Sequence, residues 1–272
     1  NIHESKFKFV IVSSGGGSNA IGNLLKVPGA SNSILEAYIP YAKESLDFYL
    51  MRKPESYCSL DTTTRMAARA YSAAKKIDQK TNIEQLFGVA ISATLSTNYE
   101  KKGSHRFHIA VQTRDFSQSI SCILNKGQRT REEEEELVTE FVIALISDCC
   151  GFEFKYPKIK EDVEHIQIPA QKGWADLMSE KIKFVTSSNQ QPKLIFPGAF
   201  NPMHDGHIAM SELANKEMSE EVFFEICIQN VDKPPLSYHQ IKKTIDQFTD
   251  SMNWVLTLSL IHISEPTRHT RI

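Results

Sequence analysis

Residues 194–207 read LIFPGAFNPMHDGH, and this stretch decides the fold of the C-terminal part of the chain. Its apolar start reads as a strand, and the prolines and glycines that follow interrupt regular structure. His204 and His207 stand three positions apart at the end of the interruption. The next segment, GHIAMSELANKEM, has helical periodicity and predicts a helix over 206–218 with Asp205 as its N-cap. The loop therefore joins a strand end to a helix N-terminus.

This loop has the properties of a phosphate-binding site. Open parallel sheets bind ligands at the carboxyl ends of their strands, and free amides at a helix N-terminus favour phosphate. Gly198 lets the backbone approach a phosphate without a Cβ, while Pro197 and Pro202 stiffen the loop. Two imidazoles three residues apart at a helix start lie on one side, so both can donate to charge that develops on an attacked phosphate. A structural role for the two histidines remains open at this point.

Composition limits the function classes. The 272 residues are 41% hydrophobic and 24% charged, which predicts a globular chain of one large or two ordinary domains. A net charge of -2 argues against a nucleic-acid partner or an anionic membrane surface. No apolar run approaches the ~18 residues that a membrane span requires. We therefore expect small-molecule partners, and a homo-oligomer remains open.

The cysteines indicate the compartment. There are five, an odd number without a CxxC pair, which favours reduced thiols. We therefore expect a cytoplasmic location, with the nucleus as an additional one.

The N-terminal part alternates strand and helix patterns. Its elements are a strand at 7–12 that ends in a glycine-rich turn and a helix, a helix at 62–77, a strand at 87–95, two strands at 106–113 and 117–124, and a helix from Thr130. The acidic run REEEEE opens that last helix, where its charge suits the helix dipole, and we interpret it as a solvated face.

In the remaining chain the pattern of apolar and polar residues changes twice. Residues 151–191 lack a sustained period and read as a polar connector with a short helix near 174–183. Strand, helix, strand and helix patterns then follow, which is the order of a parallel βαβ sheet. We therefore predict an α/β protein with a first domain at 1–150, the connector at 151–191, and a second domain at 192–257.

The loop also carries a family signature. Its residues fill every fixed position of the motif GxFxPxHxGH, namely Gly198, Phe200, Pro202, His204, Gly206 and His207. This part of the chain resembles the cytidylyltransferase-like nucleotidyltransferase superfamily. The resemblance implies a Rossmann-like domain that joins the α-phosphate of a nucleoside triphosphate to a second phosphate and releases pyrophosphate. It implies His204 and His207 as catalytic residues, with Mg²⁺ bound to the triphosphate.

The same resemblance implies a set of nucleotide-binding residues, which are Gly198, Ala199, Phe200, Asn201, Pro202, Gly206 and Lys233. Lys233, in NVDKPPL, is a candidate phosphate contact, although a solvated turn lysine is an equal alternative. The version GAFNP resembles the GSFNP of nicotinamide mononucleotide adenylyltransferases, which join ATP to nicotinamide mononucleotide (NMN) to form NAD. A cytidylyltransferase is the alternative.

The N-terminal stretch VSSGGGSNAIGNLLKVPGASNSILEAYIPYAKE resembles the CinA-type amidohydrolase domain. This resemblance implies a nucleophile at Ser14, with Tyr41 and the nearby Lys43 in its site. Departures from the pattern occur at Ser13, at Leu46 and in SATLSTNY (92–99), so the domain is expected to be either an NMN amidohydrolase or an inactive nucleotide-binding descendant. A CinA-like domain before an adenylyltransferase domain is also the layout of a eukaryotic group of NMN adenylyltransferase-like proteins.

Two further features concern metal binding and the end of the chain. No protein metal site is expected, because His105 and His108 on one strand face opposite ways and Cys149 and Cys150 lack further ligands at usable spacing. The end of the chain lacks a convincing ISTxxR motif, since ISEPTR stands too close to the histidines. We therefore expect 258–272 to be a non-native tail, and this chain to be a fragment of low activity.

Overall fold

The computed structural model describes residues 2–99, 101–188, 190–229 and 234–258. It is a mixed α/β structure with two separate sheets, as the sequence predicts. The chain divides into two compact units, one of residues up to Pro169 together with 234–237, and one of the remaining residues from Ala170.

The first unit contains a six-stranded sheet with helices on both faces. Its elements are β1 (Lys8–Gly15), α1 (Asn19–Leu25), β2 (Ile34–Tyr38), α2 (Lys43–Leu50), α3 (Leu60–Ile77), β3 (Leu86–Thr94), β4 (His105–Gln112), β5 (Phe116–Leu124), α4 (Arg131–Cys149) and β6 (Val163–Pro169). The strand order is β2-β1-β3-β4-β5-β6. The first three strands are parallel, whereas β4, β5 and β6 pair antiparallel.

The two faces of this sheet have different side chains. Alternate positions such as Phe9, Ile11 and Phe107 form one core cluster with residues of α1 and α4. On the opposite face α3 approaches so closely that a Cβ on Gly88 would lie 2.1 Å from the backbone nitrogen of Tyr71. The period-two pattern of the strands therefore separates a large apolar core from a face of small residues under α3.

The segment at 151–191, predicted to be a polar connector, contains regular structure. β6 lies within it and pairs with β5 along seven residues from Phe116↔Pro169 to Cys122↔Val163. Exposed and partly buried residues alternate along β6, because only one face of this edge strand meets the core. The apolar pattern of β6 in the sequence is therefore weak. The short helix predicted near 174–183 is present as α5 (Trp174–Met178), which ends five residues earlier than predicted.

The interpretation of the acidic run as a solvated face is wrong for two of its residues. Thr130 is the N-cap of α4, as predicted, and the structure adds a capping box between Thr130 and Glu133. Glu134 is fully buried and accepts hydrogen bonds from the Ser96 amide at 2.6 Å and His105 at 2.8 Å. Glu135 accepts from the Asn19 amide at 3.2 Å. These carboxylates are buried because they satisfy backbone amides of neighbouring loops.

The second unit is built on a four-stranded sheet. Its elements are α5, β7 (Phe184–Thr186), β8 (Leu194–Pro197), α6 (Asp205–Met218), β9 (Val222–Cys227), α7 (Tyr238–Ile245) and β10 (Asn253–Thr257). The order is β7-β10-β9-β8, with β8, β9 and β10 parallel and β7 antiparallel. Parallel strands separated along the chain by α6 and α7 form the predicted Rossmann-like arrangement.

None of the helices in the described ranges is long and apolar enough to cross a membrane.

Candidate functional site

The loop after β8 is shaped around a buried aromatic ring. Phe200 is 1% exposed and has a left-handed backbone with φ 46°. Its ring packs against Phe196, Phe224 and Phe248 at centroid distances of 5.7, 5.2 and 6.0 Å. Phe200 thus anchors the loop from below, while the chain on either side of it remains at the surface.

Gly198 is required by this arrangement for a steric reason. A Cβ at Gly198 would lie 2.4 Å from the Phe200 ring, which is closer than carbon atoms can approach. The Gly198 amide donates to the carbonyl oxygen of Glu225 on β9 at 3.4 Å, which holds the loop to the sheet. The sequence indicates that Gly198 lets a phosphate approach the backbone. The structure adds a second reason for glycine, because the Phe200 ring leaves no space for a side chain at this position.

Gln247 fixes the loop from the other side. Its Nε2 donates to the Phe200 carbonyl at 3.0 Å, and its Oε1 accepts from the Met203 amide at 2.9 Å. One side-chain amide thus satisfies two backbone groups of an irregular loop. Sequence reasoning missed Gln247, because no motif marks it and it lies 47 positions along the chain from Phe200.

The two histidines meet at the start of α6. His204, and not Asp205, is the N-cap residue, and Asp205 is the first residue of the helix. The rings of His204 and His207 stack with centroids 3.6 Å apart and an interplanar angle of 23°. The absence of a side chain at Gly206 makes room for this, since a Cβ there would lie 3.1 Å from Nδ1 of His204.

The protonation state and the tautomer of His207 are set by its neighbours. Burial, followed by the proximity of His204, lowers the pKa of His207 below its usual range. Nδ1 of His207 accepts a hydrogen bond from the His204 amide at 3.4 Å. A neutral ring that accepts at Nδ1 carries its proton on Nε2. His207 therefore has an Nε2–H that can donate to a ligand at neutral pH.

The other predicted nucleotide-binding residues have different places. Gly198, Ala199, Asn201, Pro202 and Gly206 are exposed in the loop and at the helix start, in contrast to buried Phe200. The peptide bond between Asn201 and Pro202 is cis. Lys233 lies outside the described residues, as do positions 259–272 of the predicted tail.

A buried carboxyl group lies on the strand beside the loop. Glu225 is 1% exposed, and its Oε1 accepts a hydrogen bond from the Thr257 hydroxyl at 2.6 Å. Its Oε2 is buried without a hydrogen-bond partner in the described structure. Burial raises the pKa of Glu225, and the Thr257 hydrogen bond opposes part of this shift. The central strand thus carries a polar group that sequence reasoning did not single out.

The predicted serine site of the first unit is not assembled around Ser14. The Ser14 hydroxyl donates to the Pro40 carbonyl at 3.1 Å. Tyr41 is 71% exposed, and the Lys43 Nζ lies 5.6 Å from the centroid of the Tyr57 ring. No hydrogen bond links the described side chains of Ser14, Tyr41 and Lys43, so neither of the two predicted partners is bonded to the Ser14 hydroxyl.

The glycine-rich loop before α1 is already in contact with a carboxylate of the protein itself, that of Glu135. Oε1 of Glu135 accepts from the Asn19 amide at 3.2 Å and from the Ser18 hydroxyl at 3.3 Å. A helix N-terminus attracts anions through these amides. Because the Glu135 carboxylate already accepts from one of these amides, that of Asn19, a phosphate would meet a like charge at the N-terminus of α1.

Comparison with protein families identifies the C-terminal part. Residues 195–270 match the model of the cytidylyltransferase-like family, so this part of the chain carries a cytidylyltransferase-like nucleotidyltransferase domain. The match begins in β8 and includes the loop with both histidines. No curated protein sequence matches the chain.

Solved structures similar to the chain are competence-damage proteins. The protein CihA from Agrobacterium tumefaciens is 16% identical, with 52% of this chain and 85% of that chain covered and a TM-score of 0.42. A CinA superfamily protein from Klebsiella pneumoniae is 13% identical, with 56% and 98% covered and a TM-score of 0.43. One from Escherichia coli is 13% identical, with 51% and 78% covered and a TM-score of 0.40.

Proposed function

We propose that the protein is an adenylyltransferase that joins ATP to NMN, forming NAD and pyrophosphate. The observation that carries the proposal is the stacked pair His204 and His207 at the N-terminus of α6, beside the carboxyl end of β8. The nucleotidyltransferase class is supported by the family match, and the adenylyl and NMN specificity by the sequence GAFNP. The domain of the first unit, with its resemblance to CinA-type amidohydrolases of NMN, agrees with the same acceptor.

In the proposed reaction the protein stabilises charge and supplies no nucleophile. The phosphate of the mononucleotide attacks the α-phosphate of ATP, and pyrophosphate leaves. The Nε2–H of His207 donates to the oxygens of the α-phosphate as negative charge develops, with the His204 ring stacked beside it. Donors fixed before the reaction need no reorganisation during it. The N-terminal amides of α6 add to this stabilisation through the helix dipole.

Mg²⁺ is proposed to arrive on the phosphates of ATP. Within the described residues no group of three or more His, Cys, Asp and Glu side chains is arranged to hold a metal ion. The ion would neutralise charge on the triphosphate and hold its shape. Gly198, Ala199 and Asn201 are exposed, so the backbone groups of this loop are accessible to a phosphate–metal complex.

The test is pyrophosphate release with defined pairs of substrates. We expect release from MgATP with NMN, and less from MgATP with nicotinic acid mononucleotide or from MgCTP with phosphocholine. His204→Ala and His207→Ala should each lower turnover by about 10²–10³-fold, the usual effect of removing one charge-stabilising donor. Met210→Ala, at an exposed position of α6, is the matched control and should leave turnover unchanged.

The alternative functions have their own readouts in the same experiment. Preference for MgCTP would assign a cytidylyltransferase and overturn the adenylyl specificity. Ammonia release from NMN that disappears in Ser14→Ala, without pyrophosphate release, would assign an amidohydrolase. Equal pyrophosphate release by the wild type and by both histidine variants would overturn the catalytic role of the pair.

A further inference from the structure

A second polar site lies on the antiparallel part of the first sheet. Residues of four strands are register neighbours there, with Ser92 beside His108, His108 beside Ser121, and Ser121 beside Glu164. Neighbours in register point to the same face of a sheet. Over β4, β5 and β6 this face forms the floor of a cavity of about 580 Å³, which His108 and Ser121 line.

The floor of this cavity holds a serine in contact with an imidazole. Nδ1 of His108 lies 2.8 Å from Oγ of Ser121, and both side chains are partly buried. Burial, followed by the charge of Arg106, lowers the pKa of His108 to about 4, so the ring is neutral at physiological pH. In the tautomer with its proton on Nε2, His108 accepts the Ser121 hydroxyl at Nδ1. This is the contact between a nucleophile and its base.

The walls of the cavity supply the other elements that acyl chemistry requires. Leu60, the first residue of the 18-residue helix α3, lines the cavity, so the positive N-terminal end of this helix lies near its wall. Positive charge at that position stabilises negative charge on a carbonyl oxygen under attack. Asn125, Asp162 and Glu164 lie on the same wall at exposed positions and provide polar groups to orient a ligand.

We propose that this cavity is a second active site, in which Ser121 attacks the acyl carbon of a small carboxylic ester and His108 accepts its proton. Every residue of the site belongs to the first unit, and none of them is part of the loop around His204 or of the glycine-rich loop around Ser14. The proposed activity is therefore independent of nucleotidyl transfer.

The reaction is balanced with water as the co-substrate. Oγ of Ser121 forms a bond to the acyl carbon while its proton moves to Nδ1 of His108. The ester C–O bond breaks, and the leaving alcohol takes the proton from His108. Water then adds to the acyl carbon and gives a proton to His108, and Ser121 leaves with that proton. The sum is ester plus water to carboxylic acid plus alcohol.

Size and charge define the substrate class. A volume of about 580 Å³ suits a small molecule. Glu161 on the wall is neutralised by Arg129 at 2.6 Å, whereas Asp162 and Glu164 form no ion pair within the described ranges. Lys160 lines the same cavity and offsets one of these two carboxylates, so the wall keeps one net negative charge. This charge disfavours an anionic acyl group. We therefore assign short esters that are neutral or carry a cationic group.

The experiment is covalent labelling of the full chain with an alkyl fluorophosphonate, followed by intact mass and peptide mapping. We expect one adduct, on Ser121, and none in Ser121→Ala. Ser119→Ala is the control, because Ser119 lies two residues earlier on the same face of β5 and is 1% exposed. Ser14→Ala should also label like the wild type. An adduct on Ser14 alone, or no adduct at all, overturns the proposal.

Hydrolysis of p-nitrophenyl acetate gives the second readout. His108→Gln should lower the rate by about 10²-fold or more, as expected for loss of a general base. Ser121→Ala should lower it to the rate without protein, with melting curves to confirm that both variants fold. A rate that is unchanged in either folded variant means that His108 and Ser121 form only a cross-strand hydrogen bond, and it overturns the assignment.

Discussion

At the scale of single residues, the loop after β8 is governed by packing as much as by phosphate chemistry. Phe200 is buried below the loop, and its ring lies 5.2 Å from the ring of His207. The catalytic candidate is thus oriented by an aromatic residue of its own motif. Gly198 faces the same ring. A side chain at position 198 would therefore displace the Phe200 ring and, through it, the His207 ring.

Gly198→Ala should disturb the site without touching a histidine. The new methyl group would meet the Phe200 ring at 2.4 Å, and overpacking of this kind costs about 1–3 kcal/mol. We expect weaker MgATP binding by calorimetry and a lower unfolding free energy. Gly22→Ala is the control, since a Cβ there meets nothing within 4 Å. Unaltered MgATP affinity in Gly198→Ala would contradict the role of the ring.

Glu225→Gln should make stability less dependent on pH. The raised pKa of Glu225 means that its stabilising contribution is present below the unfolded-state pKa and is lost as pH rises through the folded-state pKa. Above that range the buried Oε2 is charged without a partner. A neutral amide that keeps the Thr257 hydrogen bond should raise stability by about 1–3 kcal/mol at pH 8.

Urea unfolding at pH 4 and pH 8 measures this effect. The gain should be largest at pH 8 and should shrink towards pH 4, where the wild-type carboxyl group is protonated. A variant that is less stable than the wild type at pH 8 would show that the ionised carboxylate has a stabilising partner.

At the scale of elements, α4 connects the loops of the first sheet through its buried acids. Glu134 joins the loop after β3 to the start of β4, and Glu135 joins the loop after β1 to α1. These bonds use the carboxylates that follow the N-cap Thr130, so one helix N-terminus both caps itself and fixes two neighbouring loops. The loops at the carboxyl ends of β1 and β3 are therefore set by α4.

Glu134→Ala tests this function of α4. It would leave the His105 ring and the Ser96 amide without their carboxylate, and hydrogen bonds to charged groups contribute about 1.5–3 kcal/mol. We expect a loss of stability in that range and faster amide exchange in residues 95–99. Glu136→Ala, at an exposed position of the same helix, should change stability by less than about 0.5 kcal/mol. Equal effects of the two changes would contradict the proposed role of Glu134.

At the scale of the whole molecule, the chain consists of two compact units. Each unit has its own sheet, and the division between them follows β6 at Pro169. β6 covers the edge of β5, and the ion pair between Arg129 and Glu161 lies just before it. That pair holds the pKa of Glu161 at about 2, well below its usual range. Residues 151–169 therefore complete the first unit.

A fragment of residues 1–169 should fold, and a fragment of residues 1–150 should be much less stable. The shorter one loses β6 and Glu161, which leaves β5 as an open edge and Arg129 without its carboxylate. Circular dichroism during urea unfolding would compare them, with an earlier and broader transition expected for 1–150. The same midpoint for both fragments would mean that β6 contributes nothing to the unit.

The sequence by itself determined the elements whose signals are local. These signals are the buried run of β3, the alternation along β4 and β5, the cap at Thr130, and the loop of His204 and His207. All of them depend on neighbouring residues, and the structure has them near their predicted positions. The sequence also predicted correctly that His105 and His108 face opposite sides of the sheet. His105 contacts Glu134, whereas His108 contacts Ser121.

Only the tertiary structure decided the features that depend on distant partners. Gln247 reaches the loop from 47 residues away, Glu134 is buried because Ser96 and His105 meet it, and β6 is a strand because β5 lies beside it. The contact between His108 and Ser121 follows from strand register, which no local pattern records. Local sequence fixes backbone preference, whereas the partner of a polar group is fixed by which strands and loops the fold places next to it.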